Sequence, residues 1–209
     1  MQNNYDKLAW IYDPLSRLVY FKAQVNAQIS LLPFIPADSK ILIVGGGTGW
    51  ILESIAKVHP TGLSITYVEI SKKMVELAQK RDCKKNQVLF IQQAMEDYTL
   101  TEKYDVIITA FFFDNFKEEK AISIFHQLNN NLKDNGIWLF SDFILDKNNG
   151  KKWQGFMLKM MYLFFKIVTK IEAQKLFYMA PVFEKSNYQN IFETYRYGKF
   201  IKSIAYKKL

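Results

Sequence analysis

The sequence predicts an α/β fold: a three-layer sandwich in which a mostly parallel sheet of seven strands ends in an antiparallel hairpin. Three observations predict it. Short apolar runs alternate with helical stretches from Lys40 to Asp142. A cluster of glycines stands between the first of those runs and the helix after it. Near the end of the chain, two β-rich runs are parted only by Gly198.

Each element follows from its pattern. Lys40–Val44 is an apolar run that stops at glycines, as a buried parallel strand does. From Trp50 to Val58 the residues Ile51, Leu52, Ile55 and Ala56 recur at helical spacing, and His59-Pro60 ends that helix. Leu63–Glu69 carries the β-branched residues Ile65, Thr66 and Val68 and reads as the second strand. Ser71 is a good N-cap for a helix running to about Lys84, with Met74, Val75, Leu77 and Ala78 on its inner face. Val88–Ile91 and Tyr104–Thr109 are strands three and four. Glu118–Leu132 is helical, and residues 133–136 turn the chain into strand five, Ile137–Asp142. The runs Asn190–Tyr197 and Lys199–Lys207 are joined too tightly for a parallel crossover, so they must pair antiparallel.

Bulk properties narrow the class. The 209 residues suit one domain with a full core, and 49% hydrophobic against 23% charged residues is globular composition. Along the chain, 1–37 is an N-terminal helical segment, 38–145 the ligand-binding core, 147–175 a helical insertion, and 176–209 the last helix and the hairpin. The formal net charge of +8 favours anionic surfaces, but the basic residues form no Arg- or Lys-rich arm, which argues against nucleic acid as the main partner. One cysteine, Cys83, and two distant histidines, His59 and His126, provide no disulfide and no metal-ligand cluster, so no metal is expected. The stretch Met1–Lys7 is polar and lacks an apolar signal core, and a cytoplasmic location is expected.

The glycine turn, Gly45-Gly-Gly-Thr-Gly49, is the most informative stretch. Gly45, Gly47 and Gly49 permit positive φ and close approach of a ligand to the backbone. The first amides of the following helix face the same place, which is a switch point of such sheets. A dinucleotide fingerprint would need glycine at its sixth position, where Trp50 stands, and a phosphate loop would need Gly-Lys-Ser/Thr. Neither pattern is present.

With Ile41–Val44 in front of it, the turn resembles motif I of the class I S-adenosylmethionine-dependent methyltransferases, a family with a Rossmann-like sandwich. The resemblance implies that Gly45, Gly46, Gly47 and Gly49 pack on the methionine part of the cofactor. It implies that Glu69, ending strand two, accepts from both ribose hydroxyls, and that Ile70 packs on adenine. An ionised carboxylate suits the ribose because it can accept two hydrogen bonds at once. Two departures stand out. The acid usual two residues before the first glycine is Ile43, and the aspartate often found after strand three aligns with Ala94, leaving adenine to the backbone of Ala94 and Met95 or to Gln93.

Methyl transfer is a direct displacement that asks mainly for alignment, desolvation and at times a base. By resemblance, the segment after strand four borders the methyl group. Ala110 then lines the cofactor, Phe111, Phe112 and Phe113 wall an apolar pocket, and Asp114 and Asn115 orient a nucleophile or take its proton. Helix capping by Asp114 and core packing of the phenylalanines are the alternative. Asp142 and Phe143 close strand five at the same rim. The N-terminal stretch 5–14 resembles the lead of the ubiquinone/menaquinone-biosynthesis methyltransferases, which places Tyr12, with Asp13 beside it, over the cofactor; anchoring of the first helix is the other role open to Tyr12.

In 151–171, Lys152, Lys159, Lys166 and Lys170 share a narrow helical stripe and the rest is largely apolar. Three lysines within the run from Trp153 to Ile171 argue against a membrane span. A lid over an apolar substrate, contact with an anionic membrane surface, and packing on the domain or on a second copy in a homodimer stay open. The reading that follows is an S-adenosylmethionine-dependent methyltransferase of a small, partly apolar acceptor, with Asp114 and Tyr12 as candidate catalytic residues. A non-catalytic binding or regulatory subunit and an RNA methyltransferase are the alternatives.

Overall fold

A computed structural model describes residues 22–145, 153–160 and 176–209. One seven-stranded sheet organises them in the order β3-β2-β1-β4-β5-β7-β6. The strands are β1 (Lys40–Val44), β2 (Ser64–Glu69), β3 (Gln87–Gln92), β4 (Tyr104–Ala110), β5 (Leu132–Phe143), β6 (Tyr188–Arg196) and β7 (Ile201–Lys208). The first five run parallel, while β7 pairs antiparallel with both β5 and β6. The sheet therefore has the predicted parallel body and C-terminal hairpin. β1 lies between β2 and β4, so the strand order reverses at its carboxyl end and a crevice opens there.

Helices cover both faces. On one side lie α1 (Ala23–Ile29), α2 (Trp50–Val58) and α3 (Lys72–Ala78). There Ile51, Leu52 and Ile55 pack on Ile41, Ile43, Ile65 and Tyr67. On the other side lie α4 (Glu118–Asn131) and, after the short helix α5 (153–160), α6 (Ala180–Lys185). Phe125 and Leu128 of α4 and Phe183 of α6 surround Trp138 on that face. Phe125 stacks on Trp138 at 5.1 Å, and Phe183 meets the same ring edge-on at 5.0 Å. Much of the aromatic content is spent on this layer of core.

Three boundaries differ from the sequence expectation. The helix opened by Ser71, whose side chain accepts from Met74 N–H, ends at Ala78 and not near Lys84. Its last turn tightens as Lys80 and Arg81 donate to Leu77 and Ala78, and Arg81 Nε is drawn across to Thr48 O at 3.0 Å. β5 already begins at Leu132, opposite Tyr104; residues 133–136 then bulge out before Ile137 pairs with Val106. The hairpin turn spans 197–200 and not Gly198 alone. No helix among the described residues is long and apolar enough to cross a membrane.

Candidate functional site

The glycine turn leaves β1 at the switch point. Gly45 N–H still bonds Val68 O at 2.9 Å, so the loop springs directly from the sheet. Gly45, Gly47 and Gly49 all have positive φ. They are glycines for different reasons. A Cβ on Gly45 would come 2.7 Å from the Phe112 ring, one on Gly46 would fall inside the Tyr67 ring, and one on Gly49 would stand 2.5 Å from Ala78. A Cβ on Gly47 would meet only Met74 Sδ, at 4.0 Å. Three glycines thus seat the loop against its neighbours, and the middle one leaves a concave stretch of backbone open to a ligand.

Two side chains of β2 hold that loop. Tyr67 donates its hydroxyl to Gly47 O at 2.9 Å. Glu69, 6% exposed, accepts from Gly47 N–H at 3.0 Å through one oxygen and from Ser71 N–H at 2.9 Å through the other. An ionised carboxylate offers about four acceptor positions, so holding two amides is compatible with accepting from a ligand diol. Ile70 is partly exposed just beyond. Past β3, Gln93 N–H bonds Glu69 O at 3.1 Å, which brings residues 93–95 alongside. Ala94 is extended and partly exposed at the start of a 3-10 turn. The Met95 side chain is buried with Val44 and Val68, while the Gln93 amide donates to Asp97 O at 2.7 Å.

The ends of β4 and β5 form the second half of the crevice. Thr109 Oγ1 takes the Trp138 indole N–H at 2.8 Å, which locks the two strands one residue before Ala110. Ala110 pairs with Ser141, and Phe111 N–H still reaches Ser141 O at 2.8 Å. The three phenylalanines then diverge. Phe113 is fully buried against Trp138 and Phe140, so its ring is core and not a pocket wall as the sequence suggested. Phe112 lies against the glycine loop, and Phe111 joins Phe143, Phe200, Leu158 and Ala27 in a separate apolar cluster beyond the strand ends.

Asp114 and Asp142, from different strand ends, are 7% and 4% exposed. The Asp142 carboxyl accepts from Phe143 N–H at 2.8 Å and from the backbone amide of Asp114, and the two acids are in contact range electrostatically. Burial pushes Asp114 up to about 7. Burial and the neighbouring Asp114 charge push Asp142 well above the ordinary carboxylate range. No cation among the described residues acts on either. Asn115 donates to Asp114 Oδ1 at 2.8 Å.

Tyr12, Asp13 and most of the N-terminal segment fall outside the described residues, as do 161–171 of the insertion. His126 is exposed on α4, and His59 ends α2 away from the crevice. Of the insertion, α5 packs across the hairpin turn. Gln154 donates to Gly198 O at 2.8 Å, Trp153 sits edge-on to Tyr197 at 5.2 Å, and Leu158 is buried in the Phe111 cluster. The sequence reading missed Tyr67, Leu158 and Phe200 as parts of this region. Tyr67 could have been found, since it is two residues before Glu69 on the same face of β2. Leu158 and Phe200 arrive through tertiary packing and leave no local mark.

A sulfonium nucleoside needs bare backbone for its amino-acid end, a carboxylate for its diol and a partly apolar slot for its base. The open backbone at Gly47, the Glu69 carboxylate and the Ile70–Ala94 side stand in that order around one crevice, so the residues present fit the group. Residues 41–136 match a family model described as a methyltransferase domain. A malonyl-[acyl-carrier protein] O-methyltransferase of Halalkalibacterium halodurans is 30% identical over 152 residues, covering 68% of this chain and 54% of that protein. Another of that name, from Bacillus cereus, is 36% identical over 107 residues, covering 51% of this chain and 38% of its own length. The chain thus spans about half, or less, of the length of these curated relatives. Among solved structures, the magnesium protoporphyrin IX methyltransferase of Synechocystis superposes with a TM-score of 0.64 at 18% identity, covering 89% of this chain and 83% of that one, which shows a shared fold. In its matched domain, its glycine turn and its sheet, the chain is similar to the class I S-adenosylmethionine-dependent methyltransferases.

Proposed function

We propose that this chain binds S-adenosylmethionine in the crevice between β1, β2 and β4 and transfers its methyl group to a small, partly apolar acceptor. The observation that carries the proposal is the Glu69 carboxylate, buried at the end of β2 and tied to the amide of Gly47, the one loop glycine with open space before it. Glu69 holds the ribose, the backbone of 45–49 takes the methionine end, and Ile70 with the backbone of Ala94 and Met95 borders adenine. Ala110 lines the cofactor at the end of β4. Bound S-adenosylmethionine supplies a methyl group on a positive sulfur that leaves as a neutral thioether.

The protein's own task is alignment and proton handling. Phe111 and Phe112 present apolar surface beside the methyl position. Asp114, raised to about 7 by burial beside Asp142, accepts in its ionised form the proton that a hydroxyl or amine acceptor gives up as its lone pair bonds the methyl carbon. The cluster of Phe111, Phe143, Phe200 and Leu158 supports a role for α5 as part of a roof over that acceptor. The names of the two curated relatives favour a second reading of the acceptor, a carboxyl group on a carrier-bound acyl chain. Such an acceptor needs no base and brings its own negative charge toward the acid pair.

Calorimetric titration with S-adenosylhomocysteine tests the cofactor, and methyl transfer from radiolabelled S-adenosylmethionine to amines, phenols, quinones, lipids and malonyl-carrier protein tests the acceptor. Binding and label transfer to one class are expected. Absence of binding overturns the whole reading, and binding with no transfer to any class favours a non-catalytic cofactor-binding subunit.

A further inference from the structure

We infer that Asn115 is a positioning residue whose carboxamide holds Phe111 in a left-handed turn and thereby sets Phe112 against the glycine loop. Phe111 has φ +52°, an uncommon conformation for a bulky residue, since its Cβ crowds its own backbone there. Its N–H makes the last bond from β4 to β5, to Ser141 O, and the chain reverses immediately afterwards. The turn separates two consecutive rings. Phe111 goes to Phe143, 4.9 Å away, beyond the strand ends. Phe112 goes the other way, to the place where any side chain at Gly45 would collide with it, and packs edge-on against Phe113 and Phe116.

A strained backbone persists only where its surroundings over-determine it, and such strain gathers at functional sites. Here the restraint is Asn115. Its Nδ2 lies 3.1 Å from Phe111 O and 3.0 Å from Phe112 O, the two carbonyls that flank the reversal. It also reaches Asp114 Oδ1, so one amide group joins both carbonyls of the turn to one member of the acid pair. The Asn115 backbone N–H closes the turn on Phe112 O at 3.3 Å. The carboxamide NH2 carries two hydrogens and can serve both carbonyls at once, whereas a hydroxyl carries one. The carboxamide therefore acts on the cofactor crevice through Phe111 and Phe112 and not by touching a ligand. The functional half of this inference rests on the cofactor reading above.

The test is a double-mutant cycle of Asn115→Ala, Phe111→Gly and both together, each read by S-adenosylhomocysteine calorimetry and by amide hydrogen exchange over 110–116. Asn115→Ala alone is expected to weaken binding by about tenfold and to speed exchange at Phe111 and Asn115, the loss of two hydrogen bonds at a strained turn. In the Phe111→Gly background the same change is expected to cost about threefold or less, because glycine adopts the left-handed turn without strain. Equal losses in both backgrounds, or a lowered melting temperature with unchanged affinity and exchange, overturn the inference. If the wild type gives no heat with S-adenosylhomocysteine, the cofactor reading has failed and the functional half falls with it. The exchange cycle then still decides whether Asn115 holds the turn.

Discussion

The carboxylate of Glu69 accepts the amide of Gly47 at 3.0 Å, which ties the end of β2 to the centre of the glycine loop across 22 residues of chain. Its second oxygen takes Ser71 N–H at 2.9 Å, at the start of α3. One acid thus fixes both walls of the crevice, and glutamine cannot replace it. Its single acceptor oxygen satisfies one amide while its NH2 confronts the other. Hydrogen bonds to a charged group are worth about 1.5–3 kcal/mol each. Glu69→Gln is therefore expected to raise the Kd for S-adenosylhomocysteine by about tenfold or more in a calorimetric titration. An unchanged Kd would remove Glu69 from the site.

The four loop glycines should respond differently to alanine. Gly46→Ala and Gly49→Ala drive a methyl into Tyr67 and Ala78, and large losses of melting temperature are expected. Gly47→Ala meets no such wall; its cost to the fold is the positive φ, about 1–2 kcal/mol. Its methyl would nevertheless stand in the concave face offered to the ligand. The expected outcome is a Gly47→Ala protein that melts a few degrees low and has lost most of its affinity for S-adenosylhomocysteine. Wild-type affinity in that variant would show that the ligand does not approach the backbone at Gly47.

The lock between β4 and β5 gives a prediction about stability. Trp138 Nε1–H donates to Thr109 Oγ1 inside a core where both residues are almost fully buried. Thr109→Val keeps the shape and removes the acceptor, leaving a buried indole N–H unsatisfied. The cost is expected at about 1–3 kcal/mol in urea unfolding, with an unaltered m-value. A loss within error of zero would mean that the indole finds another partner.

Much of the crevice is legible in the sequence, because its parts obey local rules. Apolar runs ending in glycine mark β1, and the alternating glycines with Glu69 on the neighbouring strand end mark the proposed binding edge. What escaped is set by tertiary geometry. Phe111, Phe112 and Phe113 are identical in composition, yet one is fully buried core, one faces the glycine loop and one leaves for another cluster. The single positive φ at Phe111 makes that division, and nothing in a run of phenylalanines announces it. Likewise Asp114 could be read as a cap or a base, but its contact with Asp142 exists only because a short 3-10 turn folds back over the end of β5. The early end of α3 has the same origin, since Arg81 is recruited by Thr48 O from the far side of the loop.

The acid pair makes stability depend on pH in a direction opposite to that of most paired carboxylates. Asp114 titrates at about 7 in the folded chain against 3.8 when exposed, and Asp142 is also raised. The folded state therefore binds more protons than the unfolded one between those limits. Stability from this source is complete below about pH 4, falls as pH rises toward 7, and falls further as the second acid ionises. Asp114→Asn keeps the shape and abolishes one titration. It is expected to raise the melting temperature by several degrees at pH 8, to change it little at pH 4, and to leave a flatter profile between. The same substitution removes the proton acceptor proposed for methyl transfer. With a hydroxyl or amine acceptor, the rate should fall by about a hundredfold or more and lose its rise through pH 7, while S-adenosylhomocysteine affinity is kept. A variant that is stabilised at pH 8 yet transfers methyl groups at the wild-type rate would leave Asp114 a buried acid of the fold and move the proton acceptor elsewhere.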